Sequence, residues 1–166
     1  MVTEIDKQIY GLVEDGDCEG VRVLLIQHPD KVNEQPTYYS WLHYAAENND
    51  TDMIETLLSL GADVNAKAAK TNSTPIVMAV NERALEAVKC LVENGAEINT
   101  GGGESGTPLS AACAEGDLEV VEYLVLQGAN MNVVFGDPPN TALSYAVMYK
   151  HNDIEEYLRE RGARLP

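Results

Sequence analysis

Two short motifs recur along this chain at the same interval, and that interval constrains the fold more than any other feature. The first is a Gly-Ala pair closed by an asparagine, found at Gly61–Asn65, Gly95–Asn99 and Gly128–Asn132 and begun again at Gly162-Ala163. The second occupies Ser40–Ala46, Thr74–Val80, Thr107–Cys113 and Thr141–Val147. Both advance by 33 or 34 residues. Two landmarks with one period predict a stack of copies of one small unit.

Residues 74–99 serve as the template of one copy. Thr74 is suited to cap a helix and Pro75 to open it, because the missing N–H of proline costs nothing at the first helical position. A second helix is predicted from about Leu85 to Asn94, ended by Gly95. The apolar positions share one face of each helix: Ile76, Ala79 and Val80, then Leu85, Val88, Leu91 and Val92. Helices this short are unstable alone, so stacking must stabilise them.

These motifs closely resemble the ankyrin repeat, with its Thr-Pro-Leu-His opening and Gly-Ala-Asp-Val-Asn ending. The resemblance covers the whole chain and implies an all-α solenoid of stacked helix-turn-helix units with β-turn or hairpin fingers. We predict one domain over residues 1–166, with copies at about 4–34, 35–67, 68–100, 101–133 and 134–166. The first copy is a degenerate cap, in which His28-Pro29 stands where Gly61-Ala62 would fall. The last is a C-terminal cap. In the family, the position of His43 braces a turn.

The charge is strongly acidic, with 11 Lys and Arg against 27 Asp and Glu and a formal net charge of −16. It is unevenly spread: net −10 over residues 1–66, zero over 67–100 and −6 over 101–166. Such a field repels nucleic acids and anionic membranes and speeds encounter with a basic protein. The alternative is that the acidic surface only keeps the protein in solution. We expect no nucleic-acid or membrane partner.

No pattern in the chain predicts catalysis. The three histidines, His28, His43 and His151, fall in separate copies, and no metal-ligand or phosphate-loop spacing is present. The three cysteines are read as reduced thiols of a cytoplasmic protein, which fits the lack of a recognisable signal sequence or apolar span. An enzyme, a cofactor and a metal are not expected. A monomer is expected before any complex forms.

The resemblance implies a concave binding face built from the fingers and the first helix of each copy. The fingers fall at residues 38–39, 67–73, 101–106 and 133–140. Seven of the ten aromatic residues map to this face, and Tyr and Trp are favoured interface anchors. The predicted partner-binding residues are Tyr38, Tyr39, Trp41, Tyr44, Glu47, Asn48, Met78, Asn81, Glu82, Glu115, Phe135, Tyr145, Met148 and Tyr149. Alternatives remain: Trp41 packs under the first finger, Tyr145 packs between copies, or the site lies on the convex back.

Two functions of different classes follow from these features. The first is an acidic inhibitor or immunity-type protein that neutralises a basic partner, such as a toxin, a nuclease or another enzyme. The second is a general adaptor that links proteins without inhibiting them. An enzyme is a remote third.

Overall fold

The computed structural model describes residues 2–100 and 106–166, so the predicted third finger lies almost wholly outside the described residues. Within these described residues, ten α-helices pack against one another in five consecutive pairs. The first helices of the pairs are α1 (Glu4–Glu14), α3 (Trp41–Glu47), α5 (Pro75–Asn81), α7 (Pro108–Glu115) and α9 (Ala142–Tyr149). The second helices are α2 (Cys18–Gln27), α4 (Thr51–Ser59), α6 (Leu85–Glu93), α8 (Leu118–Leu126) and α10 (Asn152–Glu160). The prediction of an all-α solenoid is confirmed. The division between copies stays a prediction.

A left-handed residue separates the two helices of every pair. It is Gly16, Asn49, Arg83, Gly116 and Lys150 in turn, with φ between 55° and 74°. The second helix then begins two residues later, and in three pairs an aspartate side chain caps it by accepting from a backbone N–H: Asp17, Asp50 and Asp117. Thr107 and Thr141 cap first helices as the template predicts, but the Thr74 hydroxyl makes no such bond within the described chain.

The apolar faces of the helices form one continuous core along the stack. Alanine recurs where first helices meet, at Ala45, Ala79, Ala112 and Ala146, and each is fully buried. A small side chain at this position lets adjacent pairs approach closely. The core therefore runs from the first pair to the last without interruption, and every copy depends on its neighbours for burial.

The recurring motif needs glycine because of its backbone conformation and not because neighbouring atoms leave no space for a side chain. Gly61 and its three equivalents have φ between 88° and 94°, and a Cβ there would meet nothing within 4 Å. Other residues strain in this left-handed conformation, which ends the second helix and turns the chain. The first copy lacks this glycine. There His28 has φ −130°, and a 3-10 helix at Pro29–Lys31 replaces the turn.

The asparagine of the same motif links each copy to the next. Oδ1 of Asn33 accepts from the N–H of Asp63 at 2.8 Å. The same bond recurs one copy at a time along the stack: Asn65 to Glu97, Asn99 to Asn130 and Asn132 to Arg164, at 2.7–2.8 Å. We call this series the asparagine ladder. It explains why Asn closes the motif, because the side chain satisfies a backbone donor of the following copy.

A buried ion pair fastens the first copy. The ammonium of Lys31 lies 3.1 Å from Oδ1 of Asp6. Both side chains are largely buried, with 11% of the Lys31 side chain and 1% of the Asp6 side chain exposed. It also contacts Glu34. Oδ2 of Asp6 accepts from the backbone N–H and hydroxyl of Thr3, both at 2.6 Å, closing a capping box at the start of α1. Burial opposes ionisation, but the Thr3 bonds and the ammonium hold the pKa of Asp6 below its ordinary value.

His43 ties the second copy to the base of the next finger. Its Nδ1 lies 2.8 Å from the Ser40 hydroxyl, and its Nε2 lies 2.9 Å from the backbone oxygen of Ser73. The ring is wholly buried. Burial lowers the pKa of His43, which outweighs the opposing effect of the Ser73 carbonyl. The bracing role implied by the resemblance is thus present in this copy.

The lowered pKa of His43 predicts how stability depends on pH. The unfolded chain binds this proton near pH 6.5 and the folded protein only at lower pH. The free energy of unfolding should therefore be highest above pH 6.5 and fall on acidification, by up to about 1.4 kcal/mol per pH unit. Urea unfolding between pH 7.5 and 5.5 measures the slope, and His43→Gln should flatten it. Equal slopes in both proteins would assign the effect to other groups.

Candidate protein-binding face

Three tyrosines meet at the N-terminal end of the first-helix face. Tyr44 is edge-on to Tyr10 at 5.1 Å between ring centroids and to Tyr39 at 6.1 Å. The hydroxyl of Tyr44 is held 2.7 Å from that of Thr37. Beside this tyrosine cluster lies a cleft of about 240 Å³, lined by Val2, Asp6, Lys7, Tyr10, Pro36, Thr37 and Tyr44. The cluster therefore offers an apolar notch with polar hydroxyls at its edge.

Four glutamates stand at the C-terminal ends of successive first helices. Glu14, Glu47 and Glu115 are the last residues of α1, α3 and α7, and Glu82 follows the last residue of α5. We call these four residues the acidic column. A helix C-terminus carries partial negative charge, which disfavours a carboxylate there. None of these four helices has a basic residue in its last turn.

Three carboxylates of the acidic column, those of Glu14, Glu47 and Glu82, are close enough to influence one another. Partial burial, followed by the charges of Glu82 and Glu14, raises the pKa of Glu47. Burial and then the Glu14 carboxylate likewise raise the pKa of Tyr10. The guanidinium of Arg83 donates to the backbone oxygen of Glu115 instead of joining a carboxylate of the column. Negative charge on this face is therefore poorly compensated by these neighbours.

A hollow of about 510 Å³ lies at the middle of the face. Its lining comes from three consecutive first helices: Asn81, Glu82, Ser110, Ala111, Ala114, Glu115 and Tyr145. The two alanines leave room, while the two glutamates and Tyr145 border the space. Four residues predicted from the sequence thus meet at one hollow: Asn81, Glu82, Glu115 and Tyr145.

Aromatic rings form a continuous stack at the C-terminal end of the face. Phe135, Tyr145, Tyr149 and His151 follow one another at centroid distances of 5.8, 6.1 and 6.4 Å. Phe135 packs on Gly106, whose φ of 70° and lack of a side chain allow this close approach. Tyr149 and Met148 are both more than half exposed. The aromatic stack and the tyrosine cluster thus lie at the two opposite ends of the acidic column.

The remaining predicted residues lie in other surroundings. Trp41 is fully buried, and its indole N–H donates to the backbone oxygen of Lys31 at 2.8 Å. It therefore belongs to the core, and a partner docked on this conformation would not touch it. Tyr38 is exposed with the Lys70 ammonium 3.7 Å above its ring. Met78 is half-buried on α5, and Asn48 lines a separate hollow at the helix turns.

Sequence reasoning missed Tyr10 and Glu14, which both join this face. The signal was the same offset of 33 that aligns the first copy with the second. It places Glu14 at the position of Glu47 and Tyr10 at the position of His43. The degenerate motifs of the first copy drew attention away from these matches.

Residues 2–100 and 106–166 hold no group of three or more His, Cys, Asp or Glu that could bind a metal ion. Burial raises the pKa of the Cys113 thiol to about 12, so it is a poor nucleophile. Across the same residues, no helix has the length and apolar character needed to cross a bilayer.

Comparison with known families agrees with the repeated helix pairs. A family model described as ankyrin repeats in three copies matches residues 10–102 and 99–166. The chain belongs to the ankyrin-repeat family. Ankyrin arrays present extended concave surfaces to other proteins, so this chain is a protein–protein interaction module.

Curated relatives share the repeats but are much longer. Human ankyrin repeat and SOCS box protein 6 is 38% identical over 79 residues, which cover 46% of this chain and 19% of that protein. Human palmitoyltransferase ZDHHC13 is 36% identical over 43% of this chain and 11% of its own length. A putative ankyrin repeat protein of fowlpox virus is 34% identical over 46% of this chain. The matches span at most a quarter of these relatives, so the palmitoyltransferase activity is not transferred to this chain.

Proposed function

We propose that this ankyrin-repeat protein binds a basic protein through its concave face and neutralises that partner. The acidic column carries the proposal. Its four carboxylates stand one per copy at helix ends that disfavour negative charge. A Lys or Arg side chain between two of them would relieve repulsion within the protein as well as gain an ion pair.

The surroundings of the acidic column support binding to a folded partner. The tyrosine cluster and the aromatic stack flank it, and tyrosine side chains are favoured anchors at protein–protein interfaces. The central hollow gives room for one or two long side chains between Glu82 and Glu115. The net charge of −16 adds long-range attraction and would speed association.

Charge reversal of the column tests this proposal against general electrostatics. The test variant is Glu47→Lys/Glu82→Lys/Glu115→Lys. The control, Glu55→Lys/Glu93→Lys/Glu122→Lys, changes the net charge equally at exposed second-helix positions. Affinity for a partner captured from host lysate should fall about 100-fold or more in the first variant and much less in the control. Equal losses in the two variants would show that the column is not the site.

Two further measurements distinguish inhibition from other outcomes. Wild-type affinity should weaken at least about tenfold between 0.05 and 0.5 M salt if charge steers the encounter. The captured partner's own activity should fall in proportion to the fraction bound. A partner that stays fully active in the complex would favour the adaptor function, and binding insensitive to salt would refute the electrostatic proposal.

We also propose that the protein is cytoplasmic and that it is a monomer before it binds its partner. The three free thiols support a cytoplasmic location, because reducing compartments preserve them. Cell fractionation and sedimentation of the purified protein test these two statements.

A further inference from the structure

The two ends of the stack have opposite chemistry. Positions that face the next copy are apolar inside the array, as Val121 and Val125 are on α8. In the last copy the same positions hold Glu155 and Arg159, whose side chains pair at 2.8 Å. The last copy thus carries a polar pair where the inner copies carry apolar stacking residues.

The N-terminal end keeps its stacking residues. Leu24 of α2 is only half-buried, whereas its four equivalents, Leu57, Leu91, Leu124 and Leu158, are fully buried against the preceding copy. Leu12 is also half-buried, where later copies have buried alanine. A groove of about 670 Å³ runs between α1 and α2 past Gly11, Leu12, Gly20, Val23 and Leu24. We call this surface the N-terminal end face.

We propose that the N-terminal end face docks an amphipathic helix of another protein, with an apolar ridge flanked by Lys or Arg. The apolar ridge would take the place that a preceding copy occupies elsewhere in the array. The groove is bordered by Asp15, Asp17 and Glu19, so it favours a partner helix with Lys or Arg on its flanks. The bordering cation Lys7 is already 3.2 Å from Glu4. A second copy of this chain would oppose carboxylates to carboxylates, so it is disfavoured as the occupant.

Gly11 provides a way to fill the groove without disturbing the fold. A Cβ at this helical position would meet nothing within 4 Å. Gly11→Arg would therefore project a bulky cation into the groove, and replacing a helical glycine favours the helix. The matched control is Gln127→Arg, which adds the same charge at an exposed position on the far side of the array.

The probe is a synthetic amphipathic helix with leucine on one face and lysine on the other, paired with a peptide carrying glutamate in place of lysine. The lysine peptide should bind wild type and protect α1 and α2 from hydrogen exchange. Gly11→Arg should weaken binding at least tenfold and Gln127→Arg less than twofold. The glutamate peptide should not bind.

Three outcomes would overturn the inference. They are unchanged binding in Gly11→Arg with an unchanged melting temperature, protection confined to α3, α5 and α7, or a wild-type dimer whose contacts Gly11→Arg abolishes. Because the end face and the acidic column share no residue, this inference and the proposed function fail independently.

Discussion

Trp41→Ala is expected to destabilise the fold by about 3–5 kcal/mol, the range for truncating a buried aromatic residue. The ring is fully buried between the first and second copies and is the largest side chain so enclosed. Its indole N–H donates to the backbone oxygen of Lys31, so truncation leaves a cavity and removes the shorter of two hydrogen bonds to that oxygen, the other coming from the N–H of Glu34 at 3.2 Å. Urea unfolding followed by circular dichroism measures the loss.

Tyr38→Ala is the matched control for Trp41→Ala. Tyr38 lies three residues away but is 46% exposed, and its contact with Lys70 is on the surface. Its truncation should cost less than about 1 kcal/mol. A cost below about 1 kcal/mol for Trp41→Ala itself would show that the first copy contributes little to the stability of the array.

Lys31→Met is expected to cost about 3–5 kcal/mol, because it leaves the buried Asp6 carboxylate without its cation. Since the pKa of Asp6 is lowered from 3.8, the stability it contributes is complete above pH 3.8 and is lost as pH falls through the native pKa. The unfolding free energy of wild type and variant should therefore converge in strong acid. Denaturant titrations at pH 7 and pH 2 measure both effects.

The double variant Asp6→Asn/Lys31→Met separates the ion pair from general damage to the first copy. Removing both charges should recover much of the stability lost in Lys31→Met, because no buried charge is left unpaired. A double variant at least as unstable as the sum of the single variants would contradict this explanation.

Local patterns explain why much of the fold was predictable. The second helix of the template was predicted from Leu85 to Asn94 and is observed as Leu85–Glu93. Its start and end depend on apolar spacing and on Gly95, which act within one copy. The turns at Arg83 and Lys150 were not predicted, because neither residue is a usual left-handed former and the array imposes the conformation.

The candidate site was harder to predict because it depends on contacts between copies. The sequence left open whether Trp41 binds a partner or packs under the first finger, and its packing against the first copy shows that it is buried. Asp6 and Lys31 are 25 residues apart in sequence, and nothing local indicates that they pair. The aromatic stack similarly joins Phe135 of a finger to Tyr145 and Tyr149 of a helix.

The asparagine ladder gives this array a direction. In every link the side-chain oxygen of an asparagine accepts from a backbone N–H of the following copy, from Asn33 with Asp63 to Asn132 with Arg164. Adjacent copies are thus joined at every step by the same kind of bond, in addition to the core that they share. We therefore expect the loss of one of these asparagines to weaken a single junction between copies and to leave the other junctions bonded.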